Sequence, residues 1–240
     1  MLRKNLKYSI IEGSFFALMF GLGENYLSAL AVFLGYSALQ ISVLSSFPQL
    51  IGAFAQLGTN HLANLFKSVK RVAVTLAVFQ SLLWAILVYV INVTDNYFIV
   101  LLWATVYFTV TSTIGPAWIA WIGYLVPIRL RPNYHANRNR IINLMIFIFI
   151  FIGGMILKYY DQNMILGFSI MFSIGVLGRL GSAYFLNKKT EGGSIDNGNG
   201  YRYKDILKDR IKVIFMLYNA FIHFSVMFLG PLFTIYILRT

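Results

Sequence analysis

The sequence predicts an all-α membrane protein with seven transmembrane helices, on three observations. The 240-residue chain is 58% hydrophobic, with a mean hydropathy of +0.70. Only 12% of its residues are charged, against roughly 25% in soluble domains. Its basic residues fall in short runs between long apolar segments. So few polar side chains cannot coat a water-facing exterior, so lipid is the solvent for most of the surface and polar groups are left to loops and bundle interior.

A membrane span needs about 20 mostly apolar residues at roughly 1.5 Å rise to cross a hydrocarbon core of about 30 Å. Seven segments meet or approach that test: Tyr8 to Leu34, Ile41 to Leu65, Val72 to Val93, Tyr97 to Val126, Ile141 to Leu157, Met164 to Leu186 and Val213 to Leu238. Arg3, Lys4 and Lys7 precede the first, as in a secretory signal. That apolar run is too long for a signal and has no small-residue cleavage site, so it reads as an uncleaved helix.

The net charge of +12 would point to nucleic acid on a soluble domain. Here alternating spans sort nearly every Lys and Arg to one side, which excludes a nucleic-acid partner. That side collects Arg3, Lys4 and Lys7, then Lys67, Lys70 and Arg71, then Arg129, Arg131, Arg138 and Arg140, then Lys188, Lys189, Arg202, Lys204, Lys208, Arg210 and Lys212. The other side holds Lys158 and Arg239, with Asp95 and Asp161 in its short loops. The N-terminus is therefore expected in the cytoplasm and the bundle in the cell (plasma) membrane.

The sequence has no cysteine, which removes disulfides, thiolate nucleophiles and the common structural zinc sites. His61 and His223 each stand alone within a span, without companions at metal-ligating spacing. No Gly-rich phosphate loop, Ser/His/Asp arrangement or paired catalytic carboxylate is present, so an enzyme, a metal site and a cofactor are not expected.

Three regions follow: residues 1–186 as a six-helix transmembrane domain, 187–212 as a cytoplasmic linker, and 213–240 as the first helix of a further block. Glu191 to Gly200 has the composition of a flexible linker. Beyond it, Tyr203, Ile206, Leu207 and Ile211 recur at helical spacing among charges. They fit an amphipathic helix on the membrane surface equally with a solvated start to the seventh helix. Six helices, a long cytoplasmic linker and the start of another block is the layout of a transporter built from two six-helix halves. The expected fold is thus a six-helix transporter half-bundle plus a seventh transmembrane helix, with the chain either truncated within the second half or working as a seven-helix unit.

Two stretches carry a family resemblance. The first is Leu34-Gly35-Tyr36-Ser37-Ala38-Leu39-Gln40-Ile41, followed by Ser45-Ser46-Phe47-Pro48-Gln49. The second runs through Gly115-Pro116-Ala117-Trp118, Trp121, Leu125-Val126-Pro127, Arg131, Tyr134 and Arg138-Asn139. In these, and in its layout, the chain resembles a prokaryotic branch of the major facilitator superfamily. The resemblance implies alternating access between two halves, with Gly115, Pro116, Trp118, Trp121, Pro127, Arg131 and Arg138 as a conformational motif. The chain departs from the family at Pro132 and Asn133, where a glycine and a second arginine are usual. It departs again around Gly58, Asn64, Lys67, Lys70 and Arg71, where no aspartate accompanies the basic residues. Independently of any family, Pro116 lacks a backbone donor and predicts a bend after Gly115. Trp118 and Trp121, one turn apart, read as an interfacial aromatic belt or as cavity lining.

Charges inside spans cost about 3 kcal/mol at mid-membrane, so the few present are the best site candidates. Glu12 and Glu24 share the first helix, about 18 Å apart along its axis and about 120° apart around it, too far for one paired-carboxylate site. Glu24, beside Asn25 and just after Gly21 and Gly23, is the first choice for a proton-coupling or substrate group. Its bland alternative is a neutral acid hydrogen-bonded to a neighbouring helix. Glu12 lies near the inner headgroups. Arg179 either snorkels to the same surface or pairs with Glu12. Gly175, Gly178, Gly181, Ser182 and Ala183 line the sixth helix with small residues suited to close packing.

These residues predict a secondary transporter of an unidentified small molecule, working in the lipid bilayer by alternating access, with proton coupling as one form of it. Glu24, Asn25, Tyr107, Thr111, Asn219 and His223 would supply polar groups from helices one, four and seven, and the missing C-terminal half would be the partner in the full-length protein. A non-transport seven-helix protein, such as a receptor or an assembly subunit, and an inactive transporter fragment are the competing classes.

Overall fold

The computed structural model describes residues 2–192 and 208–239, and among them every regular element is helical. The chain folds as α1 (Leu2–Leu22), a 3₁₀ turn (Glu24–Tyr26), α2 (Leu27–Phe33), α3 (Ala38–Gln56), α4 (Thr59–Phe66), α5 (Val69–Val93), α6 (Tyr97–Leu125), α7 (Arg131–Tyr159), α8 (Met164–Lys188) and α9 (Arg210–Arg239). Six helical segments, up to α8, are long and apolar enough to cross a membrane. The chain is therefore an all-α integral membrane protein. Tyr203, Ile206 and Leu207, and with them most of the expected surface helix, lie outside the described residues, as does the Gly-rich part of the linker from residue 193.

Two boundaries differ from the sequence reading. The expected second span ends at Gln56, and the residues beyond it form the separate α4, which closes on Lys67 in the left-handed region (φ 52°). The expected fourth-to-fifth loop is mostly helix, because α7 begins at Arg131 with Pro132 in its first turn, where a missing N–H is harmless. The fourth span keeps its expected bounds, α6 running on through Pro116.

Local chemistry explains the outer turn quoted above. Gly35 takes φ 77° between α2 and α3, a conformation costing a side chain about 1–2 kcal/mol. Ser37 then caps α3 in a full capping box with Gln40. Asn96 and Asn163 cap α6 and α8 in the same way, each accepting a backbone N–H.

In the bundle, α1 packs along α7 and α8, α5 lies between α8 and α6, and α3 covers α6. The α1–α8 contact uses the small residues anticipated on α8. A Cβ on Gly178 would sit 3.0 Å from the Phe15 carbonyl and 3.2 Å from the Met19 nitrogen, so the backbones approach as closely as glycine allows. Trp84, Trp103, Tyr107 and Phe172 form an aromatic layer at the centre, with Trp103 and Tyr107 stacked at 5.1 Å. By contrast, α7 leaves Phe147, Phe151 and Met155 exposed, as a lipid-facing helix does.

Candidate functional site

The first span is broken where the sequence concentrates glycine and polar residues. At Gly23 the backbone leaves helical geometry (φ −111°, ψ −82°), and a Cβ there would meet the Met19 carbonyl at 2.6 Å and the Trp84 ring at 2.7 Å. Only glycine fits. Glu24 thus opens a 3₁₀ turn between two helices, and Asn25 donates to the Phe20 carbonyl at 2.9 Å, satisfying a group the break sets free. Tyr107 on α6 donates to Glu24 Oε2 at 2.7 Å. One turn on, Thr111 donates to the Tyr107 carbonyl at 2.8 Å and accepts from Gln80 Nε2 at 2.7 Å. Glu24, Tyr107, Thr111 and Gln80 therefore form a polar seam from the 3₁₀ turn across α6 to α5.

A cavity of about 340 Å³ lies on each side of that seam. One opens along Glu24, Asn25, Ser28, Ser45, Gln49 and Trp103, lined by the later part of the first span and the first half of α6, and touched by Val226 of α9. The other lies toward the N-terminal end of α1, between Glu12, Gln80, Thr111, Trp118, Arg138 and Arg179, with Phe16, Ile114 and Ile142 among its apolar walls. We refer to them as the outer and inner cavities.

The inner cavity is built on one carboxylate among three cations. Glu12 is 3% exposed, and its Oε2 accepts from Arg138 Nη2 and Lys189 Nζ, each at 3.3 Å. Glu12 is therefore enclosed by the bundle and not on its surface. Lys189, at the end of α8, turns its ammonium back into the bundle 4.9 Å from the Trp121 ring, while Arg138 lies 4.2 Å over Trp118. The closure is tightened around the ends of α1 and α8. Asn5 exchanges two hydrogen bonds with Thr190, Trp121 donates to the Thr190 carbonyl, and Tyr134 bonds Ser9.

Arg179 does not pair directly with Glu12, as the sequence had suggested. Its Nη1 donates to Ser182 Oγ at 2.9 Å, and Ser182 donates weakly to Glu12 at 3.5 Å. Ser182 stands between because it shares the α8 face one turn on. Nor does it snorkel: the residue is 2% exposed. Its Nε, the Trp118 indole nitrogen and the Gln80 Oε1 are buried with no hydrogen-bond partner among the described residues.

Of the other sequence candidates, Trp121 is fully buried and Trp118 lines the inner cavity, so neither belongs to an interfacial belt. Gly115 also faces that cavity, with open space where a Cβ would sit. Pro127 and Arg131 are structural: Pro127 precedes a 3₁₀ turn, and Arg131 donates to the Val126 and Gly123 carbonyls that end α6. Asn219 is exposed and donates to the Phe215 carbonyl of its own helix. The side chain of His223 lies outside the described residues. His61 is exposed on α4.

Sequence reasoning missed Gln80 and Lys189. Gln80 was legible as the polar residue in the middle of a 25-residue apolar helix. Lys189 was sorted with the cytoplasmic loop charges, and no signal in the sequence separates it from Lys188.

The chain was compared with protein-family models, curated proteins and solved structures, and none of them matches it.

Proposed function

We propose that the chain is the N-terminal part of a secondary transporter of the major facilitator type, moving a small solute across the plasma membrane by alternating access. On this reading residues 1–186 form one six-helix half, 187–212 a cytoplasmic linker, and α9 crosses the membrane as the first helix of the second half. The N-terminus is cytoplasmic, and the inner cavity faces the cytoplasm.

One observation carries the proposal: two equal cavities on opposite halves of the first span and of α6, separated by a hydrogen-bonded seam at a break in that span. Broken helices near mid-membrane are where transporters hold solutes and coupling ions, because the freed backbone must be satisfied by protein or cargo. Alternating access asks that a barrier open toward each side in turn, and the Glu24–Tyr107 bond is the part of the seam that can be made and broken. Glu24, bonded to a phenol beside the outer cavity, is the group placed to carry a proton. The contact of α9 with α2 and α3 supports its place in the same bundle.

Two measurements test this. Single cysteines at Arg71 and Gln162, both exposed, are probed with an impermeant thiol reagent on intact cells and after permeabilisation. Position 162 should react from outside and position 71 only after permeabilisation, and equal access from one compartment sinks the topology. Uptake of a solute panel into proteoliposomes holding the full-length protein should then be saturable and lost in Glu24→Gln. If every solute enters no faster than into protein-free vesicles, a non-transport membrane protein replaces this proposal.

A further inference from the structure

The inner cavity has more positive charge than its own residues neutralise. Among the described residues, Arg138, Arg179 and Lys189 surround Glu12, and three cations against one carboxylate leave a formal surplus of two. Glu24, within the seam and in electrostatic reach of Arg179, reduces the surplus to one when ionised. The Glu12 contacts at 3.3 Å are long for charge-assisted bonds, which favour about 2.7–2.9 Å.

A guanidinium taken out of water without a matching anion is costly, and such groups are held where a partner arrives. Arg179 fits that description: it lines the cavity, is 2% exposed, and keeps its Nε without a hydrogen-bond partner. The Trp118 indole N–H is a second unpartnered donor on the same cavity, and Gln80 Oε1 an unpartnered acceptor. Phe16, Ile114, Ile119, Ile142 and Leu186 make the remaining walls apolar. A volume of about 340 Å³ lies at the small end of ligand pockets, which run from about 300 to 1,000 Å³.

We infer that the inner cavity binds a small organic anion, its carboxylate held between Arg179 and Arg138, its apolar body against the isoleucine and phenylalanine walls, and a hydroxyl or amine of the ligand donating to Gln80. This rests on the transporter reading for its meaning, since it names the class of solute carried, but binding can be measured without transport. The anion fills the role that Glu12 plays only in part, and a neutral isostere leaves both arginines as they are. Inorganic anions satisfy the charge and gain nothing from the walls.

The test uses the purified full-length protein in detergent at fixed chloride concentration. Acetate, benzoate and succinate are compared with acetamide, benzamide and succinamide by the shift in thermal unfolding and by quenching of tryptophan fluorescence. At least one carboxylate should bind saturably while its amide does not. The best binder should weaken by about tenfold or more in Arg179→Gln, as loss of a hydrogen bond to a charged group predicts. The fluorescence response should fall in Trp118→Phe, which keeps the arginines, so the proposal stays testable if Arg179→Gln fails to fold. Three carboxylates no better than their amides overturn the anion site whatever transport shows. Selective binding lost in Arg179→Gln, with no carboxylate uptake into proteoliposomes, instead overturns the transporter and leaves the site standing.

Discussion

The inner and outer cavities have the same volume and opposite electrostatics. Around the inner one, α1, α7 and the end of α8 contribute Glu12, Arg138, Arg179 and Lys189. Among the described residues, the lining of the outer one carries Glu24 and no lysine or arginine, with Trp103, neutral polar groups and apolar side chains for the rest. The difference teaches that a basic residue near a membrane surface is not always a topological signal. The sequence sorted Arg138 and Lys189 with the loop charges of one membrane face, yet both enclose a carboxylate inside the bundle. The outer half depends instead on shape, through the break at Gly23 and the aromatic layer, and concentrates its one charge at the seam.

The largest expected effect breaks the inner half. Glu12→Gln leaves Arg138, Lys189 and Arg179 together without their carboxylate, and removing one member of a buried ionic cluster costs about 3–5 kcal/mol. Unfolding of the purified protein in detergent measures it. The double variant Glu12→Gln with Lys189→Met should recover part of the loss, because it removes one stranded cation. If Glu12→Gln unfolds like the wild type, the cluster is hydrated and the contrast between the halves disappears.

A smaller effect separates packed wall from open cavity. Gly178→Leu forces a side chain into the α1 backbone, and overpacking of this kind costs about 1–3 kcal/mol. Gly115→Ala adds its methyl to open space at the inner cavity and should change stability by less than about 0.5 kcal/mol in either direction. Similar losses at both positions would mean that the inner cavity is filled by neighbouring side chains in the membrane.

The helices were legible because the bilayer imposes a length and a composition that soluble folds do not, and six of the seven predicted spans coincide with helices that meet that test. Their ends were not. Hydropathy stops at the first charge, whereas α7 carries Arg131, Arg138 and Arg140 on its first turns because helix geometry continues past the apolar core. At the site, Glu24 with Tyr107 and Thr111 could be picked out, since polar groups within spans are rare. Which cation would reach Glu12 could not. The choice among Arg138, Arg179 and Lys189 depends on the rotation of three helices about their axes, and Ser182 takes the position a direct Arg179 pair would need. Asn25 and Asn219 each donate to a carbonyl of their own segment, which an asparagine inside a span can do without a ligand.

The finest distinction between the halves lies at the outer rim. Tyr36, 5% exposed, donates to the Asp95 carbonyl at 2.9 Å and meets Tyr97 edge-on at 5.3 Å, tying the turn after α2 to the start of α6. Burial, with Asp95 and Tyr97 adding to it, pushes the Tyr36 phenol up to about 12, from about 10 in an unfolded chain. A group whose folded pKa is raised contributes stability that is complete below the unfolded value and is lost as pH climbs through the folded one. Tyr36→Phe should therefore cost about 1 kcal/mol at neutral pH, the worth of one hydrogen bond. The gap between variant and wild type should narrow between pH 10 and 12 as the native phenol loses its advantage. Unfolding measured across that range decides it. A gap that stays constant would mean that Tyr36 holds the rim by its ring alone, and the outer half would then depend wholly on shape.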